Sequence, residues 1–246
     1  MFKSKKPIVT LVLSLLLLTI VGFLLPGASI QPVAADTYDV TSTSCTGPGS
    51  IIEAMDMANA NLGTDTISIA PGLQIDARNC PPDDATPDPD DYYFLQATES
   101  VIIEGNDAKL TGSNNWIDKG GKQAWPTQCW DQESAKDLIV SQSPGFIRVG
   151  VANADNSAIT VTARDLEFDN LSGMALVEKN ASFVLEEALV RKLVPSTKNC
   201  DQNLIKAYEG ANVTLRGNTW EGNAVHGKIV GAYGLNGIIF AKMRGT

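Results

Sequence analysis

Histidine is almost absent from this chain, since His226 is the only one among 246 residues. It lies in a polar turn, from Asn223 to Gly227, that contains neither serine nor cysteine. Zinc sites in proteins draw on several Cys and His ligands, and no two cysteines here have CxxC spacing. A hydrolytic triad places a histidine beside a nucleophile. The sequence therefore indicates neither kind of site.

Basic residues are also scarce. Lysine and arginine total 19 against 28 acidic residues, which gives a formal net charge of -9. An acidic surface repels the phosphate backbone of nucleic acid. We therefore expect no nucleic-acid partner.

Long apolar runs are missing everywhere except near the N-terminus. Three lysines precede an uncharged run from Ile8 to Leu25, and Val33-Ala34-Ala35 then offers small residues for cleavage. This order predicts a signal peptide over residues 1–35 and an exported domain over residues 36–246, secreted or at the cell surface. The alternative is an uncleaved anchor, because the run approaches the roughly 20 residues that span a bilayer. That anchor would be the chain's contact with a membrane.

The cysteines are few but even in number, and all follow the predicted signal peptide. In an exported chain this pattern suggests two disulfides. We predict Cys45 with Cys80, which would tie the segment before the first helix to the end of the first strand region, and Cys129 with Cys200.

The first regular element after the predicted signal peptide is a helix. Gly47-Pro48-Gly49 prevents a helix from starting earlier, and Ser50 with Glu53 fits a capping box. Four apolar residues follow at helical spacing and predict one buried face: Ile51, Ala54, Met55 and Ala58. An alternating run, Asp65 to Ile69, then predicts a strand.

Segments 40–43, 47–54, 58–61 and 63–67 together resemble, in order and spacing, the N-terminal cap of a group of bacterial surface and secreted proteins. That group carries a Cys-Ser-Leu-Arg-Glu-Ala motif before a pectin-lyase-like domain; here Gly49 replaces the Cys and Ile52 the Arg. The resemblance implies an all-β fold, a right-handed parallel β-helix (pectin-lyase-like solenoid) with a short N-terminal capping helix. It also implies a surface location, but no particular activity, because such folds are functionally mixed.

A pattern of apolar pairs supports a solenoid independently of that resemblance. The pairs are Ile159 with Val161, Phe183 with Leu185 and Val213 with Leu215, at steps of 24 and 30 residues. They predict that Val161, Leu185 and Leu215 point inward and stack on one another. No capping element follows the apolar residues 238–240, so we expect a C-terminally truncated domain or a partner over that end.

Two segments are candidates for ligand binding. The first holds five aspartates among prolines, and they are candidate Ca²⁺ ligands: Asp83, Asp84, Asp88, Asp90 and Asp91. The EF-hand pattern is not met, so a solvated loop without any cofactor is the preferred interpretation. The second segment holds Trp116, Trp125 and Trp130, whose rings would stack on sugars if exposed and would anchor the loop if buried.

The repeat also predicts which charged residues share a column across strands. The columns read Glu167, Arg191, Glu221; then Asp169, Leu193, Asn223; then Thr162, Glu186, Arg216. No column places two acids on neighbouring strands, and most glycosidases require a pair of acids, so we assign no catalytic residue.

Three functional hypotheses follow. We favour a secreted or cell-surface module that binds or displays, with a glycan or cell-surface polymer as partner and without enzymatic activity. The second is a polysaccharide lyase or glycoside hydrolase, and the third is a purely structural adhesin or passenger fragment.

Overall fold

The computed structural model describes residues 34–81, 93–112, 116–117, 139–140, 144–171, 173–193, 204–221, 230–232 and 238–242. The predicted signal peptide before residue 34 lies outside this part of the chain. So do all five candidate Ca²⁺ ligands, along with Cys129 and Cys200.

Within the described residues the chain forms one α-helix, α1 (Ile51–Ala60), and many short strands. The strands are β1 (Thr37–Val40), β2 (Asp65–Ile69), β3 (Gln74–Asp76), β4 (Tyr93–Ala97), β5 (Val101–Thr111), β6 (Trp116–Ile117), β7 (Ile139–Val140), β8 (Gly145–Val149), β9 (Thr160–Asp169), β10 (Ala175–Val177), β11 (Ser182–Glu186), β12 (Leu189–Arg191), β13 (Ile205–Ala207), β14 (Asn212–Arg216), β15 (Thr219–Glu221), β16 (Val230–Ala232) and β17 (Ile238–Lys242).

These strands form two parallel sheets. The larger sheet has ten strands, with the order β1-β2-β5-β9-β11-β14-β17 and with β3, β12 and β15 alongside it. The smaller sheet has five strands in the order β16-β13-β10-β8-β4. A separate antiparallel pair, β6 with β7, flanks a segment outside the described residues.

The predicted all-β, right-handed parallel β-helix is corrected by this topology. The described strands belong to two separate parallel sheets with a helix and an antiparallel pair, and no regular solenoid coil is described. Strand partners in the larger sheet lie at unequal sequence steps, because Val101 pairs with Val161 whereas Val161 pairs with Phe183. The apolar spacing reflects parallel pairing, which any parallel sheet requires, and it does not by itself define a uniform coil.

The helix α1 forms where the sequence predicts it. The Ser50 hydroxyl accepts a hydrogen bond from the Glu53 amide at 3.2 Å, and Ile51, Ala54, Met55 and Ala58 are the buried residues of the helix. The Glu53 carboxylate accepts from the Gly49 amide at 2.6 Å instead of the Ser50 amide, which it would accept from in a capping box. The Ser50 amide donates to the Gly47 carbonyl, so the preceding turn takes that donor.

This helix lies against the first strands of both sheets. Asn59, near its C-terminus, reaches the edge strand β4: its Nδ2 donates to the Gln96 carbonyl at 2.7 Å, and its Oδ1 accepts from the Thr98 amide at 2.8 Å. Unpaired edge groups are templates for unwanted strand pairing. Asn59 therefore satisfies two of them. The predicted disulfide between Cys45 and Cys80 is confirmed and joins the segment before α1 to the end of the turn after β3.

One apolar core is shared by the two sheets. Phe94 and Phe146 of the smaller sheet meet edge to face at 5.9 Å between ring centroids, and Phe146 meets Phe168 of the larger sheet at 4.9 Å. All three rings are at most 1% exposed. Aromatic residues of both sheets therefore meet within this core.

The predicted core residues are inward, but one predicted stacking register is wrong. Val161, Leu185 and Leu215 are all buried, and Leu185 pairs with Leu215 as predicted. Val161, however, pairs with Phe183, and Leu185 pairs with Ala163. The first step is therefore 22 residues and not 24.

A column of left-handed residues divides the outer face of the larger sheet. Asp165, Glu187 and Gly217 have φ values of 55°, 54° and 65°, and each directly follows one residue of the in-register set Arg164, Glu186 and Arg216. Left-handed backbone is rare outside glycine, so three stacked cases mark a turn that the packing imposes. Charged residues occur on both sides of this turn.

Candidate functional site

Before the turn, alternating charges line up across the larger sheet. Glu104, Arg164, Glu186 and Arg216 occupy one register position on β5, β9, β11 and β14. Arg164 bonds Glu104, and Arg216 Nη1 lies 2.7 Å from Glu186 Oε1. We call this set the charge ladder. The Arg216 side chain is 67% exposed, and exposed pairs of this kind contribute little stability.

After the turn, a second group of charges is more enclosed. Lys109 Nζ lies 2.7 Å from Asp169 Oδ2 and 3.0 Å from Glu167 Oε1. Arg191 Nη2 bonds Glu167 and lies 3.6 Å from Asp169 Oδ2. We call these four residues the ion cluster. Their side chains are 12% to 31% exposed, so they are held in place yet reachable from solvent.

Strand periodicity explains why these residues meet. Successive side chains alternate between the two faces of a strand, so Glu167 and Asp169 share the outer face of β9 while Phe168 enters the core. Lys109 on β5 is directly in register with Glu167, and Arg191 on β12 is in register with Asp169. Two neighbouring strands thus place a cation on each side of the paired carboxylates.

An irregularity in β5 makes this register possible. The pairing of β5 with β9 shifts between Glu104 and Ala108, where Asn106 and Asp107 adopt left-handed backbone. Gly105 precedes them, and a Cβ there would lie 2.1 Å from the Asp165 carbonyl oxygen. Such bulges re-aim side chains locally. Here the shift brings Lys109 opposite Glu167.

Electrostatics within the ion cluster favour the charged form of Lys109. The pKa of Lys109 is raised, chiefly by its hydrogen bond to Asp169 and also by Glu167, against an opposing desolvation effect. Lys109 therefore stays protonated near neutral pH and is poorly suited to act as a general base. One hydrogen-bond donor of the ion cluster is unsatisfied, because Arg191 Nε is buried without a partner among the described residues.

The ion cluster was missed by the sequence argument. The predicted columns used a step two residues too long, which placed Glu167 beside Arg191 and put no two acids on neighbouring strands. The signal was the Glu167-Phe168-Asp169 alternation within one strand, which puts both acids on one face. Two predicted neighbours are in register: Glu186 with Arg216, and Arg191 with Glu221. The predicted pairing of Glu167 with Arg191 is wrong, because Arg191 is in register with Asp169 and not with Glu167.

Besides the charge ladder and the ion cluster, a charged pair lies at the smaller sheet. Arg148 Nε is 3.4 Å from Glu178 Oε1, and their side chains are 15% and 9% exposed. Leu176, which is fully buried, is in register with Arg148. This pair is less accessible to a ligand than the ion cluster.

The remaining predicted site residues fall largely outside what is described. Trp116 belongs to β6, where it pairs with Val140, but its side chain is outside the described set; Trp125 and Trp130 are outside it altogether. Of the ion cluster, only Lys109 on β5 is near this tryptophan segment in sequence. Across the described ranges, no three His, Cys, Asp or Glu side chains are grouped to hold a metal.

Comparison with protein-family models, with curated proteins and with solved structures found no match. In the part of the chain that is described, no helix has the length and apolar character needed to cross a bilayer.

Proposed function

We propose that the chain is an exported binding and display module whose ion cluster recognises a hydroxyl-rich polymer, such as a cell-surface glycan. The observation that carries this proposal is the ion cluster itself. It sets two carboxylates and two cations on a rigid sheet face, in alternation and partly open to solvent.

The chemistry of the cluster suits binding. Carboxylates accept and guanidinium or ammonium groups donate charge-assisted hydrogen bonds, which are stronger than neutral ones. A sugar hydroxyl both donates and accepts, so it can bridge a carboxylate and a neighbouring cation. Because the strands hold these groups in place, a ligand would lose little of its binding energy to ordering the site.

Acid–base catalysis fits the same cluster less well. A glycosidase requires one carboxyl that carries a proton and a second that acts as a base or nucleophile. Both acids here lie against the same Lys109 ammonium, so they are not held in the two separate environments that such a mechanism needs. The paired acids Glu167 and Asp169 still make a carbohydrate-active enzyme the second candidate.

The display role rests on sequence. We propose that residues 1–35 are a signal peptide and that residues 36–246 act at the cell surface or outside the cell. We further propose that one or more of Trp116, Trp125 and Trp130 contribute to glycan recognition, since aromatic rings recognise sugars without reacting.

The decisive experiment is a glycan-array and affinity-gel screen of the exported protein. Glu167→Gln should weaken binding by about tenfold or more, because a charge-assisted hydrogen bond is lost. The matched control is Glu186→Gln, which removes a carboxylate from the charge ladder instead and should leave binding unchanged. Trp125→Ala should weaken binding if the tryptophan segment contributes.

Reducing-end and unsaturated-product assays on the same polysaccharides separate the two candidates. Product formation that Glu167→Gln abolishes would replace the binding module with the enzyme. Absence of binding to any glycan, or equal loss in the Glu186→Gln control, would overturn the role of the ion cluster.

A further inference from the structure

One carboxylate in the described chain is buried without a matching cation. Asp65, the first residue of β2, is fully buried, and its Oδ2 has no hydrogen-bond partner among the described residues. Its Oδ1 accepts from the Asp36 main-chain nitrogen at 2.8 Å and lies 3.5 Å from Asn61 Nδ2. A buried charge that lacks a cation is costly, so this group calls for a positive partner.

The main-chain nitrogen of Asp36 is held firmly at this carboxylate. The Asp36 carbonyl accepts from the Thr66 amide at 2.8 Å, and the Asp36 carboxylate accepts from Asn61 Nδ2 at 2.9 Å. Strand β1 starts at the next residue and pairs with β2 from Thr37 onward. The position of the nitrogen is thus set by the sheet, independently of what precedes it.

The surroundings carry excess negative charge. The pKa of Tyr38 is raised, first by desolvation and then by the negative charges of Asp65 and Asp36. No described lysine or arginine forms an ion pair with Asp65. A cation introduced here would relieve both the buried carboxylate and its neighbour.

We propose that the Ala35–Asp36 bond is a processing site and that its cleavage supplies this cation as the new α-ammonium group of Asp36. The proposal rests on the proposed export of the chain. A membrane-associated processing peptidase would use water: the C–N bond breaks, the Ala35 carbonyl gains the hydroxyl and becomes a carboxylate, and Asp36 nitrogen gains protons to become an ammonium. Ala34 and Ala35 are exposed, so the bond is accessible.

The consequence is an ion pair that exists only in the processed protein. In the uncut chain the Asp36 nitrogen has one hydrogen, which Asp65 Oδ1 accepts. The ammonium has three, so it can also serve the unpartnered Oδ2, and it carries the charge that the site lacks. Cleavage at this bond therefore strengthens the start of β1, whereas cleavage one residue to either side would misplace the ammonium.

The test begins with the full-length chain expressed in an exporting host. Intact mass and N-terminal sequencing of the product identify the first residue, expected to be Asp36. The folded product is then treated with a limiting α-amine-selective acylating reagent near neutral pH. The wild-type amine should react about tenfold or more slowly than in Asp65→Asn, because a hydrogen-bonded ion pair protects it.

Asp39→Asn, which removes an exposed acid from strand β1, is the matched control and should react like the wild type. If Asp65→Asn is not exported, the comparison of folded with denatured wild-type protein replaces it, and protection on folding is expected. A first residue other than Asp36, or an amine equally reactive in the folded wild type and in its comparison state, would overturn the proposal. Neither result depends on glycan binding.

Discussion

Individual side chains set how closely strands approach in the larger sheet. Gly105 has no space for a Cβ, which would lie 2.1 Å from the Asp165 carbonyl oxygen and 2.4 Å from Leu166 Cγ. Gly217, by contrast, would place a Cβ at an ordinary 3.5 Å from Glu187, although its φ is +65°. The two glycines are therefore required for different reasons, one for space and the other for backbone conformation.

Gly105→Ala should lower the free energy of unfolding by about 1–3 kcal/mol, since backbone or core atoms must shift to admit the methyl group. Chemical denaturation of the purified protein measures this loss. Gly217→Asn is the control: asparagine tolerates left-handed backbone, and the space is adequate, so the change should stay within about 1 kcal/mol. A Gly105→Ala protein as stable as the wild type would show that β5 and β9 are not held at this distance.

Leu185→Ala should cost about 2–5 kcal/mol of unfolding free energy, because Leu185 is fully buried between Ala163 and Leu215 and the change leaves a cavity. Glu186→Gln, at the neighbouring outward position, should cost much less because its carboxylate belongs to the charge ladder and pairs with the exposed Arg216. Urea denaturation of both variants gives the comparison. Equal losses would place Leu185 outside the core.

At the scale of elements, the N-terminal segment depends on local contacts that reinforce one another. The Ser50 cap fixes the start of α1, Asn59 satisfies the edge of β4, and the disulfide between Cys45 and Cys80 closes the segment around both. Each contact alone is worth little beside the entropy of ordering the chain. Together they shield one edge of the smaller sheet.

The double variant Cys45→Ser, Cys80→Ser should lower the unfolding free energy by about 3–4 kcal/mol, chiefly because the unfolded chain gains conformational freedom. Non-reducing peptide mapping first checks the bond in the wild type, and denaturation with and without reductant then measures its effect. Reductant should destabilise the wild type but leave the double variant unchanged. A wild type insensitive to reductant would contradict this prediction.

Local signals predicted elements well, and pairing poorly. The capping residues and the alternation after Gly63 identified α1 and β2, because those signals act within a few residues. The register of β9 was predicted two residues off, and the in-or-out pattern could not reveal it: side chains alternate with a period of two, so a two-residue slip leaves every face unchanged. Burial of Val161 was therefore predicted correctly while its partner was not.

The candidate site depends on how β5, β9 and β12 pair. Lys109 contacts Glu167 and Asp169, which lie some 60 residues later in the sequence. Its position on β5 also depends on the register shift that follows Glu104. No local pattern connects these positions. The ion cluster follows from tertiary pairing alone, whereas the two acids on β9 were visible in the sequence as an alternating pair.

At the scale of the whole molecule, the acidic balance makes each cation in the ion cluster important. The chain carries a formal net charge of -9, and Lys109 is the cation that both Glu167 and Asp169 share at 3.0 Å or less. Its loss would leave two partly buried carboxylates facing each other with Arg191 alone. The stability of the larger sheet should therefore respond to the charge on Lys109.

The direction of the Lys109 pKa shift determines how stability depends on pH. The pKa of folded Lys109 is raised above its ordinary value of 10.5 by the hydrogen bond to Asp169 and then by Glu167, while desolvation opposes the shift. A base whose pKa is raised on folding contributes stability that is fully present below the unfolded pKa and is lost as the pH rises through the folded one. The wild type should thus lose this contribution on the alkaline side, above about pH 10.5.

Lys109→Arg should remove this alkaline loss, because a guanidinium stays protonated throughout that range and can pair with both carboxylates. Denaturation midpoints measured from about pH 9 to pH 11.5 should fall less for Lys109→Arg than for the wild type. Lys179→Arg, at an exposed pair with Glu209, is the control and should follow the wild-type profile, since tyrosines and other lysines titrate alike in all three proteins. Parallel profiles for Lys109→Arg and the wild type would mean that the Lys109 charge does not stabilise the sheet, and the ion cluster would then lose its rigid basis for recognising a ligand.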